Sequence, residues 1–304
     1  MNKGLIDTEH GSIRWRGRVL IVLAAILWST SGVFAKAPVF EDWPIAQRPF
    51  LLAFWRAVFS CGFLILFVRK VTWTWRILPM AFAFVCMSGT FMSALVFAEA
   101  TLAIWLQFTA PAWVLLIGAW VFREYASRID ILFLSLALAG VVWIIAFQIS
   151  GPDNLGLWLG LASGLFFALV VLQLRSLRGL DAAWLIFVNQ LAVAVAMSPF
   201  VFLGQEVVLP SGQQWFYLFA FGALQMGIPY VLFAYGVRSI KSHEASGLLL
   251  LEPILVPIWV FAVWRHAETY QAPHWSTWIG ASLILCSLLV RYGYDLRRSL
   301  KWNL

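Results

Sequence analysis

A chain of 304 residues that is 62% hydrophobic and only 12% charged is too apolar for water, since ordinary soluble domains carry about 25% charge. A soluble fold of this composition would expose extensive apolar surface, so the composition excludes a soluble enzyme and points to the bilayer. The net charge of +7 needs no nucleic-acid partner, because the basic residues sort by side of the membrane, as set out below.

A bilayer-crossing helix needs about 20 mainly apolar residues. In chain order such runs are predicted at 18–36, 49–68, 77–95, 99–121, 129–148, 155–174, 182–203, 214–235, 244–264 and 275–292. The connections are too short for a separate soluble domain. The expected fold is therefore an all-α membrane protein of ten transmembrane helices. Arg14, Arg16 and Arg18 precede the first run as in a signal peptide. That run, however, is long, ends in Lys36 and lacks a small-residue cleavage site, so the first helix is expected to stay.

Polar residues inside these runs are the candidate site. In the first span, Trp28 is followed by Ser29, Thr30 and Ser31. Consecutive residues spread over most of a helix circumference, so at least one hydroxyl faces the interior, to hold a solute or to bond back to its own backbone. Arg56 lies about seven residues into the second span. It either offers a positive charge to a solute carboxylate or snorkels to the surface. Trp28, Trp105, Trp113 and Trp259 form an aromatic cavity wall or simply pack. Gly156, Gly160 and Gly164 recur every fourth residue on the sixth span, a small-residue stripe for close helix approach. Asn189 and Gln190 in the seventh read as interhelical hydrogen-bonding groups.

The ninth span, "EASGLLLLEPILVPIWVFAVW", carries the sharpest candidate. Glu252 stands near its middle beside Pro253, with Pro257 four residues on; Pro111 sits similarly in the fourth span. Intramembrane ionisable residues mark ion or substrate paths, and Glu252 is read as a proton or substrate switch. The alternative is a neutral plug bonded to carbonyls freed by Pro253 or Pro257. The three prolines are read as helix breaks. Cys61, Cys86 and Cys286 lack disulfide or zinc spacing and read as buried small hydrophobes. No second His follows His243 at zincin spacing, and there is no phosphate loop or nucleophile elbow. No catalytic residue, metal site or cofactor is expected.

Most of the 21 Lys and Arg fall in alternate connections and at both termini. The other side keeps Lys36, Arg48 and Arg265. The positive-inside rule then places both termini in the cytoplasm. The chain also repeats itself. "SALVFAEATLAIWLQFTAPAWVLLIGAWVFRE" from Ser93 aligns without a gap on "YGVRSIKSHEASGLLLLEPILVPIWVFAVWRH" from Tyr235, matching Ala103 with Ala245, Pro111 with Pro253 and Arg123 with Arg265. Residues 1–150 and 151–304 are thus two five-helix repeats. Five is odd, so the second enters the membrane inverted, as in many secondary transporters.

"LAAILWSTSGVFAK", "LQFTAPAWVLLIGAWVFRE" and "ASGLLLLEPILVPIWV" together resemble the EamA-type branch of the drug/metabolite transporter superfamily, over about residues 18–292. The resemblance implies a ten-helix inverted 5+5 carrier that often exports amino acids or other small metabolites. Its cavity would lie among helices 1–4 and 6–9, with 5 and 10 outside. The sequence departs from the family's usual Gly-Glu at the end of the ninth helix, where His266 matches Glu124 of the fourth. The resulting expectation is a secondary active exporter of a small organic metabolite, working by alternating access in a bacterial inner membrane. Its partners would be the small-molecule solute and the lipid bilayer, with a homo-oligomer left open. The alternatives are a membrane-embedded enzyme acting on a lipid-linked substrate and a channel-like facilitator.

Overall fold

The computed structural model describes residues 3–121, 127–149, 154–177, 179–203, 207–240, 242–268 and 270–301. Arg123 and Glu124 of the repeat alignment lie outside them, as do Arg178 and Lys241. Every regular element among the described residues is helical. Among the described residues ten helices are long and apolar enough to cross a membrane. They are α1 (Trp15–Ala35), α2 (Arg48–Phe67), α3 (Ile77–Phe97), α4 (Ala100–Trp120), α5 (Arg128–Gln148), α6 (Asn154–Leu174), α7 (Ala182–Phe202), α8 (Gly212–Gly236), α9 (Gly247–Trp264) and α10 (Trp275–Tyr294). The chain is a multi-pass integral membrane protein.

Local chemistry sets several helix starts. Ser127 and Asp130 form a capping box at α5, and Ser211 and Gln214 form one at α8. Each satisfies backbone N–H groups that a helix N-terminus leaves unpaired. Asp181 caps α7 by accepting from the Trp184 N–H at 3.0 Å. Pro49 opens α2, where its missing N–H costs nothing.

The principal helix packings recur when α1–α5 are exchanged with α6–α10. α3 lies against α6 as α8 lies against α1, and α4 touches α6 as α9 touches α1. α2 pairs with α7, α4 with α9, and α5 with α10. Missing side chains permit the tightest crossings. A Cβ on Gly140 of α5 would sit 2.7 Å from the Gly280 carbonyl of α10. The α6 stripe serves the same end, since Cβ atoms on Gly156, Gly160 and Gly164 would come within 2.3 Å of Ala98, 3.0 Å of Leu106 and 2.6 Å of Thr109. Cys61 and Cys86 are half-buried, whereas Cys286 is exposed. The expectation of three buried thiols is corrected for Cys286, which sits on the outward face of α10.

Three helices are interrupted and one is widened. α1 breaks at Ser29–Thr30, α4 at Phe108–Thr109 and α9 at Leu250. Each break tightens to an i→i+3 bond: Thr30 N–H to Leu27, Thr109 to Leu106, and Leu250 to Gly247, all at 3.2 Å. The α4 and α9 breaks fall at matching positions of the aligned repeat, and each precedes its proline. Pro111 and Pro253 then lie in the first turn of the following segment, where an N–H is not needed. Pro257 departs from the expectation of a break, because the segment Leu251–Trp264 runs through it. α8 widens to π-helical turns over Ala220–Gly227, a deformation frequent at functional sites.

Candidate substrate site

The broken and widened helices and their neighbours bring polar groups into the interior of the bundle. Arg56 of α2 is 2% exposed. Its Nη2 donates to Ser88 Oγ of α3 at 3.0 Å, and its guanidinium carbon lies 5.1 Å from the centroid of Phe221. A snorkelling arginine would carry its head to water; this one is held inside the bundle. Arg56 Nε has no partner, nor do Ser60 Oγ one turn on, Asn189 Oδ1, or either amide atom of Gln190.

Glu252 is half-buried in the first turn of the second α9 segment, where unpaired N–H groups suit a negative charge. Its carboxyl makes no hydrogen bond among the described residues. Tyr230 of α8 lies within Coulombic reach of both Arg56 and Glu252, and its ring meets Trp28 edge-on at 5.0 Å.

The hydroxyl run of α1 divides its work. Ser29 Oγ donates to the Ile26 carbonyl at 2.6 Å and accepts from Trp259 Nε1 at 2.9 Å. Thr30 Oγ1 donates to the Leu27 carbonyl at 2.7 Å. Ser31 Oγ is buried without a partner. Gln225, from the widened turns of α8, donates to the Trp28 carbonyl at 3.0 Å, so the distortions of α1 and α8 complement each other. Trp105 is buried with its Nε1 unpartnered and Trp113 is half-buried. Both stay on α4 and give no hydrogen bond or ring contact to the Arg56–Tyr230–Glu252 group.

Each end of the site is fastened differently, and the sequence reading missed both fasteners. At one end Glu99, 3% exposed, starts α4. It accepts from the His274 N–H at 2.9 Å and from Thr277 Oγ1. Gln148 of α5 donates to Ser276 Oγ at 2.8 Å and Thr277 Oγ1 at 2.9 Å. Lys36 and Tyr270 line a small cavity with Glu99. Burial and the nearby Glu99 charge push the Tyr270 phenol above its ordinary range. On the same side Trp43 Nε1 donates to Gln214 Oε1 at 3.1 Å. At the opposite end Arg69 donates to Tyr235 Oη at 2.9 Å, and Arg238 stands over the Tyr235 ring at 5.5 Å. A crevice between α2, α7 and α8 runs from Arg69, Asp181 and Arg238 inward to Tyr230. Glu99 escaped notice because it falls at a span boundary, and Tyr230 because a tyrosine inside an apolar run gives no charge signal.

Known proteins place this architecture. A solved crystal structure matches with a TM-score of 0.62 at 18% identity, covering 91% of this chain and 97% of that one, which bears on the fold alone. An uncharacterized transporter of Archaeoglobus fulgidus is 24% identical over 277 residues, 91% of this chain and 96% of its own length. An uncharacterized transporter of Bacillus subtilis, YxxF, is 25% identical over 159 residues, half of each chain. The model of the EamA-like transporter family matches twice, at residues 15–146 and 154–292, once in each half. The chain belongs to the EamA-like transporter family.

Proposed function

We propose that the protein is a secondary active carrier that exports a small organic metabolite, an amino acid or related compound, by alternating access. The observation that carries this reading is a buried arginine with an unpartnered donor inside a bundle whose helices break before Pro111 and Pro253. Ionisable groups at such depth mark transport paths, and discontinuous helices at a repeat interface are where carriers hold their solutes.

Residues 1–150 and 151–304 act as two inverted five-helix repeats that rock about the mid-depth site. Support comes from the contact pattern that survives exchange of the halves and from the odd helix number in each. Both termini face the cytoplasm of a bacterial inner membrane, a placement supported by the sorting of Lys and Arg. On that orientation the Glu99 fastener closes the outer end and the Arg69–Tyr235 contact the inner end. Glu252 changes its protonation or its partner during the cycle. Trp28, Ser29, Ser31 and Trp259 line or brace the solute, while Asn189 offers a hydrogen bond from α7. Trp105 and Trp113 are packing residues on this reading. No group in the site proposes a bond-breaking step, so catalysis on a lipid-linked substrate is not favoured.

The test is counterflow in proteoliposomes. Purified protein is reconstituted, loaded with unlabelled amino acids or nucleosides, and offered the labelled form outside. A carrier gives transient accumulation above equilibrium, driven by exchange. A facilitated channel gives simple equilibration, and that result would overturn the proposal.

A further inference from the structure

We propose that Arg56 is the anchor for an anionic group on the solute, and that this group is a single carboxylate. The inference rests on the carrier reading above and names the chemistry of its site.

A guanidinium has five N–H donors and no acceptor. In this structure Ser88 Oγ takes one bond, and Nε is buried with no partner. No carboxylate stands within ion-pair distance among the described residues. The sequence gives the reason: α2, α3, α7 and α8 contain no Asp or Glu at all. α3, α7 and α8 are the helices packed against α2. Tyr230 lies within Coulombic reach of Arg56 and of Glu252, but among the described residues no acid lies within such reach of Arg56 itself. A charge removed from water and left uncompensated is unfavourable, so the empty site is electrostatically incomplete. Aromatic contact with Phe221 offsets part of this, but a ring cannot fill the remaining donors.

The paired helices α2 and α7 carry further polar groups without partners. Ser60 Oγ, Asn189 Oδ1 and both amide atoms of Gln190 are buried and unpartnered. They come from α2 and from α7, the helix paired with it. Buried polar atoms without partners are uncommon in native folds and call for an explanation such as an absent ligand. A ligand presenting two acceptor oxygens would match the guanidinium fork.

Charge selects among anions. α3, α7 and α8 also contain no Lys or Arg, and Arg48, the other arginine of α2, lies about 12 Å away along the helix. One positive charge suits a monoanion. A phosphomonoester, with nearly two negative charges at neutral pH, would stay under-compensated. A carboxylate takes the bidentate geometry that arginine forms best.

The experiment combines thermal stabilisation in detergent with counterflow in proteoliposomes. The probes are the standard amino acids, lactate and benzoate as amine-free monocarboxylates, the carboxamide of the best-binding acid, phenyl phosphate as a phosphomonoester without a carboxylate, and uridine and spermidine as non-acids. The wild type is compared with Arg56→Lys and Arg56→Gln. At least one monocarboxylate should stabilise the wild type. Its carboxamide and phenyl phosphate should bind about tenfold more weakly or worse, as loss of a charge-assisted, charge-matched bidentate pair implies. Arg56→Lys keeps the charge without the fork and should fall between wild type and Arg56→Gln, which also guards against misfolding of the Gln variant. Undiminished binding of the carboxamide, undiminished acid binding by Arg56→Gln, or stabilisation confined to uridine or spermidine would each overturn the anchor. Counterflow of uridine alone would leave the carrier reading standing and remove this inference. Arginine-dependent acid binding without trans-stimulation would do the reverse.

Discussion

At the scale of single residues, the two mid-depth charges have different neighbours and should respond differently to substitution. Glu252 makes no hydrogen bond among the described residues, so neither Glu252→Gln nor Glu252→Ala strands a partner. Both variants should change unfolding stability by less than about 1 kcal/mol, because the penalty for removing a side chain comes mainly from groups left unsatisfied. Functionally they should not be silent. If Glu252 titrates during transport, the Gln variant keeps shape and hydrogen bonding but cannot titrate. Its net flux should then lose the pH dependence of the wild type while solute-for-solute exchange continues. Measured against pH at matched protein levels, a Gln variant with wild-type rates and the same profile would return Glu252 to a structural role. Ser29 sets the contrast. It accepts the Trp259 indole N–H, and Ser29→Ala should cost about 1–3 kcal/mol by leaving that donor without a partner, read as a lower unfolding midpoint.

At the scale of helices, the glycines decide how closely the bundle closes. Gly156→Leu would force a Cβ to 2.3 Å from that of Ala98, and overpacking of this kind costs about 1–3 kcal/mol. Gly62, whose added Cβ would meet nothing within 4 Å, should tolerate Leu without loss; a fluorescence-detected melt of both variants checks the pair. Helix positions were legible in the sequence because hydrophobic length alone defines a span, and the spans of the structure lie within a few residues of those predicted. The breaks were half legible. Pro111 and Pro253 marked where α4 and α9 are interrupted, but each break lies before its proline, since the ring is accommodated in the first turn of the next segment. Pro257 left the helix intact. The break in α1 has no proline; its consecutive hydroxyls bond back to the backbone instead, a competition with helical bonding that a run of Ser and Thr can signal. The widened turns of α8 had no signal, because they depend on Gln225 meeting a carbonyl of α1 from far away in sequence. For the same reason the Glu99–Thr277–Gln148 network was invisible: three polar residues at three span ends show no mutual relation until the halves are docked.

Across the whole molecule the account makes one claim, that two five-helix halves rock about a mid-depth site and open it to one side at a time. Topology comes first. A periplasm-dependent reporter fused at Leu304 should be inactive in a bacterial host, since the basic residues place that terminus inside. The most direct test is a pair of distance measurements on doubly spin-labelled protein in lipid. One label pair, at Ile45 and Gln271, spans the halves at the Glu99 end. The other, at Arg76 and Val237, spans them at the Tyr235 end. Adding a solute that supports counterflow, or changing pH, should lengthen the distance at one end while shortening it at the other. Distances that rise together at both ends, or that do not respond while solute is crossing, would contradict alternating access.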